Sequence, residues 1–181
     1  MKTESVSQYQ IKLSDQFFFD SNVWLYLYYP QSGISQKQIN AYSNFLESVL
    51  SKRNLLVTDL LQISEIVNVI ISAEFREFKK RGNYSVTLKE WKASINFQPA
   101  LDTAKLITSQ ILKQTDLISG VFNADEMKQM VSECDKADFN DLYFVRLAEK
   151  QSLNIVTHDF DFRAAKNFSF NIISANRNYL I

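Results

Sequence analysis

The feature that most constrains the fold is a set of short apolar runs, each too brief for a buried helix, separated by stretches with helical periodicity. Phe17-Phe18-Phe19, Leu55-Leu56-Val57-Thr58, Asn154-Ile155-Val156-Thr157 and Phe170-Asn171-Ile172-Ile173 are such runs. Apolar stretches of this length, bounded by polar residues, read as strands buried on both faces rather than as one-faced strands with alternating polarity. Leu117 to Phe122 reads as a further strand. Strands that alternate with helices in this way imply crossover connections and an α/β fold with a largely parallel sheet covered on both sides.

The intervening segments carry helix signals. Val23 to Tyr29 is helical in pattern and stops at Pro30. Ser35 is placed to cap a helix through about Lys52, with Ile39, Tyr42, Phe45, Leu46 and Val49 on its apolar stripe. Asp59 is placed to cap the next helix, which ends at Gly82-Asn83. Residues 84–116 are mostly helical, with one start at Ser85-Val86-Thr87-Leu88 and another at Pro99. Helices are also expected over Asp125–Asp135 and Asp141–Gln151. The polar residues 1–16 predict no element and lack the apolar stretch of a secretory signal.

With 181 residues and no linker or repeat, residues 1–181 read as one domain. Three glycines cannot build a phosphate-cradling glycine loop, and the lone Cys134 excludes an internal disulfide or a multi-cysteine zinc site. No apolar run reaches the ~18 residues of a membrane span, so the expectation is a cytoplasmic protein with no membrane partner. Net charge is zero, which offers no general attraction for nucleic acid. The charge is unevenly spread, however: residues 133–161 are acidic, and Arg76, Lys79, Lys80 and Arg81 place four bases within six positions.

The acids carry the chemistry. In a parallel sheet, ligands bind outside the carboxyl ends of the strands, and Asp20 and Asp159 follow two of the runs above. Asp141 opens the helix before the strand that Asp159 follows, and Glu65 lies among Ile63, Ile66, Val67 and Ile70. Each has a plain structural explanation. Asp20 could be a helix cap, Glu65 could pair with a lysine, Asp138 or Asp141 could face a helix dipole, and Asp159 and Asp161 could be turn residues. Taken together, carboxylates sharing a site raise one another's pKa and are tolerated mainly around a cation. An all-oxygen set selects Mg²⁺ or Mn²⁺ rather than zinc. His158, the only histidine, reads as an exposed loop residue.

These residues resemble the PIN domains, a family that includes the VapC-like toxins of toxin–antitoxin pairs. Phe17-Phe18-Phe19-Asp20-Ser21-Asn22 is similar to that family's opening strand and first acid, and Glu65 to its second. Asp141-Leu-Tyr-Phe-Val-Arg-Leu-Ala148 and Val156-Thr157-His158-Asp159-Phe160-Asp161-Phe162 resemble the last two motifs at their usual mutual spacing. The resemblance implies a three-layer α/β/α sandwich and an endoribonuclease that uses Mg²⁺ or Mn²⁺ held by Asp20, Glu65, Asp141 and Asp159. Asp161 and Asp138 would be outer or alternative ligands, and Asn22 and Thr157 would serve the substrate. It also implies an RNA substrate, a homodimer and a cognate antitoxin protein. Residues 75–120 stand out against the family as a helical insertion, and the neighbouring Arg76, Lys79, Lys80 and Arg81 are candidates for phosphate contacts. Competing readings are a non-catalytic scaffold of the same fold that binds a protein, and a nuclease acting on DNA.

Overall fold

The computed structural model describes residues 2–30, 34–82, 84–164 and 169–179. Six strands form one all-parallel sheet: β1 (Lys2–Ser5), β2 (Gln16–Phe19), β3 (Leu55–Asp59), β4 (Asp116–Ile118), β5 (Asn154–Val156) and β6 (Asn171–Ser174), in the order β1-β6-β5-β2-β3-β4. The helices are α1 (Ser21–Tyr28), α2 (Gln36–Ser51), α3 (Leu60–Gly82), α4 (Leu88–Lys92), α5 (Gln98–Leu112), α6 (Ala124–Ser132) and α7 (Phe139–Gln151).

The period-two geometry of a strand explains why the central runs are apolar at every position. Phe17 and Phe19 enter one core cluster, with α1, α2, α3 and α5, whereas Phe18 enters the other, beneath α7. Leu56 and Val57, Ile155 and Val156, and Ile172 and Ile173 divide between the two faces in the same way. The result is the expected three-layer α/β/α sandwich. On the first face, Phe17, Phe19, Phe45 and Trp24 form a chain of ring contacts with centroids 5.3–6.0 Å apart.

Residues 75–120 are largely helical, as their pattern predicts. Thr87 caps α4 with a reciprocal box to Glu90, and Pro99 lies in the first turn of α5. This segment packs on the second half of α3 through its own small core, in which Trp91 meets Phe75, Phe78 and Phe97. Two expectations need correction. The polar N-terminus contains β1, paired with β6 from Lys2↔Asn171 to Ser5↔Ser174. Only Ser5 of this edge strand is buried, so β1 has no need of apolar residues and its sequence carries no strand signal. At the other edge, β4 is only Asp116–Ile118 rather than Leu117–Phe122, because the chain leaves the sheet at Ser119-Gly120. Among the described residues no helix is long and apolar enough to cross a membrane.

Candidate active site

Strand order sets the location. From β2 the chain moves outward to β3 and β4, then returns to the opposite side of β2 as β5 and β6. Connections therefore diverge between β2 and β5, which opens a crevice at the carboxyl ends of those strands. Asp20 follows β2 directly, its N–H donating to Val156 O at 2.9 Å, and Thr157 and Asp159 follow β5.

Asp20 is buried and fully engaged. Oδ1 accepts from the Ser21 N–H at 2.7 Å, which makes Asp20 the N-cap of α1. Its Oδ2 accepts from Thr157 Oγ1 at 2.7 Å and from Asn22 Nδ2 at 2.5 Å. Capping is therefore real, but it uses only one oxygen; the other is turned across the crevice to β5. Asn22 Oδ1 in turn accepts from the His158 N–H at 3.2 Å, and Thr157 Oγ1 accepts from the Asp159 N–H at 2.9 Å. Asn22 and Thr157 are thus brought to the site as supports of Asp20.

Among the described residues, no lysine pairs with Glu65. Its Oε2 accepts from Ser21 Oγ at 3.0 Å, and Asn140 supplies a further hydrogen bond. Burial raises its pKa, those two hydrogen bonds partly offset the rise, and the charges of Asp138 and Asp159 add to it. Burial likewise pushes Asp20 up to about 7, with the charges of Glu65 and Asp141 adding to the effect. Asp141, in the first turn of α7, is also pushed up to about 7, by burial first and then by Asp159, Asp138, Glu65 and Asp161. Asp138 starts α7 without a side-chain capping bond, and Asp159 Oδ1 accepts from the Asp161 N–H at 3.0 Å. The six acids singled out in the sequence therefore share one electrostatic neighbourhood. Among the described residues, no ion pair within 4 Å gives any of them a cation. Nor, with the side chains as they stand, is any group of three or more His, Cys, Asp or Glu arranged to hold a metal ion.

An open cleft of about 550 Å³ runs from Glu65 and Asn140 along α3 past Asn68 and Ser72 to Arg76. A second, of about 500 Å³, contains Asp138, Asp161, Phe160 and Lys136. Of the four bases named in the sequence, Arg76 alone lines the first cleft. Lys80 pairs with Glu77 at 2.9 Å, Lys79 lies over the Phe75 ring at 5.6 Å, and Arg81 is exposed. Bases in the last turn complement the carboxyl end of the helix dipole, which accounts for these three locally. A more spacious hollow of about 690 Å³, between residues 5–7 and the start of α2, is lined by no carboxylate; chemistry rather than size marks the site.

Several contributors are not apparent from sequence patterns. Tyr42 is fully buried in α2, and its hydroxyl lies 3.0 Å from Thr157 O, 2.9 Å from His158 Nδ1 and 3.0 Å from the Ala175 N–H that donates to it. At an apolar position of a helix stripe it reads as core. Gln62 is also fully buried, donating to Phe19 O at 2.6 Å and accepting from Thr58 Oγ1 at 2.7 Å, which pins α3 to the end of β2. His158 is not an exposed loop residue. It is half-buried between Tyr42 and Tyr26, with Gln38 Nε2 3.3 Å from its Nε2, and burial lowers its pKa. The Tyr179 hydroxyl donates to Asp159 O, holding the loop that carries this acid.

Neither a family model nor a curated protein matches the chain. Among solved structures, the crystal structure of PAE2754 from Pyrobaculum aerophilum is similar over 96% of this chain and 92% of its own, at 16% identity and a TM-score of 0.48.

Proposed function

We propose that the chain is a metal-dependent endoribonuclease of the PIN type, hydrolysing RNA phosphodiester bonds at the crevice between β2 and β5. The observation that carries this reading is the convergence of Asp20, Glu65, Asp141 and Asp159, from four distant segments, into one neighbourhood that raises the pKa of three of them with no ion-paired cation among the described residues. Retaining buried acids at this cost is poor design for a scaffold and sound design for a cation site.

The donor set fits Mg²⁺ or Mn²⁺, being all oxygen and strongly anionic. Asp20, Glu65, Asp141 and Asp159 would hold the ion, with Asp161 and Asp138 as outer or alternative ligands. Their closing on it requires side-chain rotation, for which the exposed Asp159 has most freedom. When bound, such an ion lowers the pKa of a water and neutralises charge on phosphate oxygens. The chain's own residues do the positioning. Thr157, Asn22 and the Ser21 N–H fix the plane of the Asp20 carboxylate, and Ser21 and Asn140 fix that of Glu65. Arg76 offers a phosphate contact from the neighbouring cleft. Biological settings consistent with this reading are a cytoplasmic nuclease or the toxin of a toxin–antitoxin pair, assembled as a homodimer.

The test is cleavage of labelled single-stranded RNA in Mn²⁺ or Mg²⁺ by wild type, Asp20→Asn and Asp141→Asn, with single-stranded DNA as competitor. Wild type is expected to cut RNA, EDTA to stop it, and both variants to lose activity by at least 100-fold. Normal cleavage by either variant would remove that residue from the mechanism, and cleavage of DNA in preference to RNA would reassign the substrate.

A further inference from the structure

Asp59, the last residue of β3, is a buried carboxylate outside the set of acids described above. Both of its oxygens are engaged. Oδ1 accepts from the Leu61 N–H at 2.7 Å, which caps the first turn of α3, and Oδ2 accepts from the Tyr143 hydroxyl of α7 at 2.9 Å. The Tyr143 oxygen in turn accepts from the Gly120 N–H at 3.2 Å. A Cβ at Gly120 would stand 2.9 Å from that oxygen and 2.3 Å from the Phe122 ring, so the missing side chain lets the segment after β4 come this close. Tyr143 thus joins α7, the start of α3 and the segment after β4. Its ring meets those of Phe122 and Phe144 at 5.1 and 5.6 Å.

Tyr143 stands three residues after Asn140, a spacing that puts both on one face of α7. That face makes two polar ties to the α3 side: Asn140 to Glu65, and Tyr143 to Asp59. Glu65 is six residues beyond Asp59, about 9 Å along α3. One tie would act as a pivot, whereas two set apart along the helix fix its rotation as well as its distance. Asp141 adjoins Asn140, so whatever sets α7 against α3 also sets Asp141 against Glu65. Groups that orient metal ligands without touching the ion commonly change affinity by about ten-fold or more. We infer that Tyr143 is a positioning residue of the acid centre. Through Asp59 it locks α7 to the start of α3, and so fixes where Asp141 stands relative to Glu65 when the two close on a divalent cation. This rests on the cation reading above and adds to it two residues outside the acids that would hold the ion.

The experiment measures the Mn²⁺ dissociation constant by isothermal titration at mildly alkaline pH, beside the metal-free melting temperature. The proteins are wild type, Y143F, Y29F and D59N. Y29F is the matched control: it removes a hydroxyl that donates to another carboxylate of α3, Glu74, at 2.7 Å. Glu74 lies nine residues beyond Glu65, about 14 Å along the helix. Both phenylalanine variants should lower the metal-free melting temperature, as the loss of a hydrogen bond to a carboxylate does. Y143F should also weaken Mn²⁺ binding about ten-fold, which a merely structural role would not do, and Y29F should leave binding unchanged. D59N keeps an oxygen for the Leu61 N–H and can donate its amide to the tyrosine oxygen, so it should bind Mn²⁺ within about two-fold of wild type. Unchanged affinity in Y143F, with wild type binding Mn²⁺, would overturn the positioning role but leave the cation reading standing. An equal loss in Y29F would reduce the effect to general loosening and overturn it too. So would a loss in D59N as large as in Y143F, because the ion would then depend on the Asp59 charge rather than on its tie to Tyr143. If wild type binds no Mn²⁺, the cation reading falls and takes the positioning role with it.

Discussion

Asp20 illustrates how one side chain can serve structure and chemistry together. It caps α1 with one oxygen and receives Thr157 and Asn22 with the other, while its burial and the charges of Glu65 and Asp141 push it from 3.8 to about 7. Asp141 is displaced to a similar value. For an acid whose folded pKa is raised, protonation favours the folded state, so its stabilising contribution is complete below the ordinary pKa and is lost as pH rises through the folded value. Without metal, the protein should therefore melt at a higher temperature near pH 5.5 than near pH 8. The difference should be a few degrees, since about 1 kcal/mol moves the midpoint of a chain this size by ~2–4 °C. In Asp20→Asn and Asp141→Asn this pH dependence should shrink, and the metal-free midpoint at pH 8 should rise slightly because a charge in conflict with its neighbours is gone. Melting curves in EDTA at the two pH values check both expectations; a wild-type midpoint that falls on acidification over this range would refute the assignment of these acids as unmet charges.

At the level of elements, α2 and α3 act as braces for the carboxyl edge of the sheet. Tyr42 of α2 ties the turns after β5 and β6 together, and Gln62 of α3 holds the end of β2. Tyr42→Phe removes a hydroxyl that serves Thr157 O and the Ala175 N–H, leaving buried groups unpaired at a cost of ~1–3 kcal/mol. It should lower the melting temperature and reduce kcat more than KM, because what loosens is the loop that carries Asp159. Trp91→Ala should cost ~3–5 kcal/mol as a buried aromatic truncation, since Trp91 centres the small core between α3, α4 and α5. Elements buried on both faces were readable in the sequence because their composition has no alternative: Phe17-Phe18-Phe19 must serve two cores at once. β1 was not readable, since an edge strand built from Lys, Thr, Glu and Ser is indistinguishable from a loop. The same division holds at the site. Glu65 was found because a carboxylate among isoleucines is costly, and Asp20, Asp141 and Asp159 because they border the carboxyl ends of buried strands, whereas Tyr42, Ser21 and Asn140 occupy positions where tyrosine, serine and asparagine are ordinary, and only the fold brings them to the acids.

For the whole molecule, the sheet order matters more than any single residue. Because the chain reverses direction across β2, the segments after β2 and β5 face one crevice, and the start of α7 and Glu65 of α3 border it. Of residues 75–120, the end of α3 carries Arg76 beside the cleft, α5 adds Ala104, Ile107 and Ile111 to the main core, and β4 closes the sheet beside β3. The central claim is that the converged acids form a binding site for a hard divalent cation. It is tested most directly by titrating Mn²⁺ into the metal-free protein at about pH 8 and following thermal unfolding of wild type and Asp141→Asn. The account predicts a dose-dependent rise in wild type, ~5–10 °C at 100 times the dissociation constant, where binding adds about 2.7 kcal/mol, and little or none in the variant. An absence of shift in both proteins up to millimolar Mn²⁺, or an equal shift in both, would contradict it.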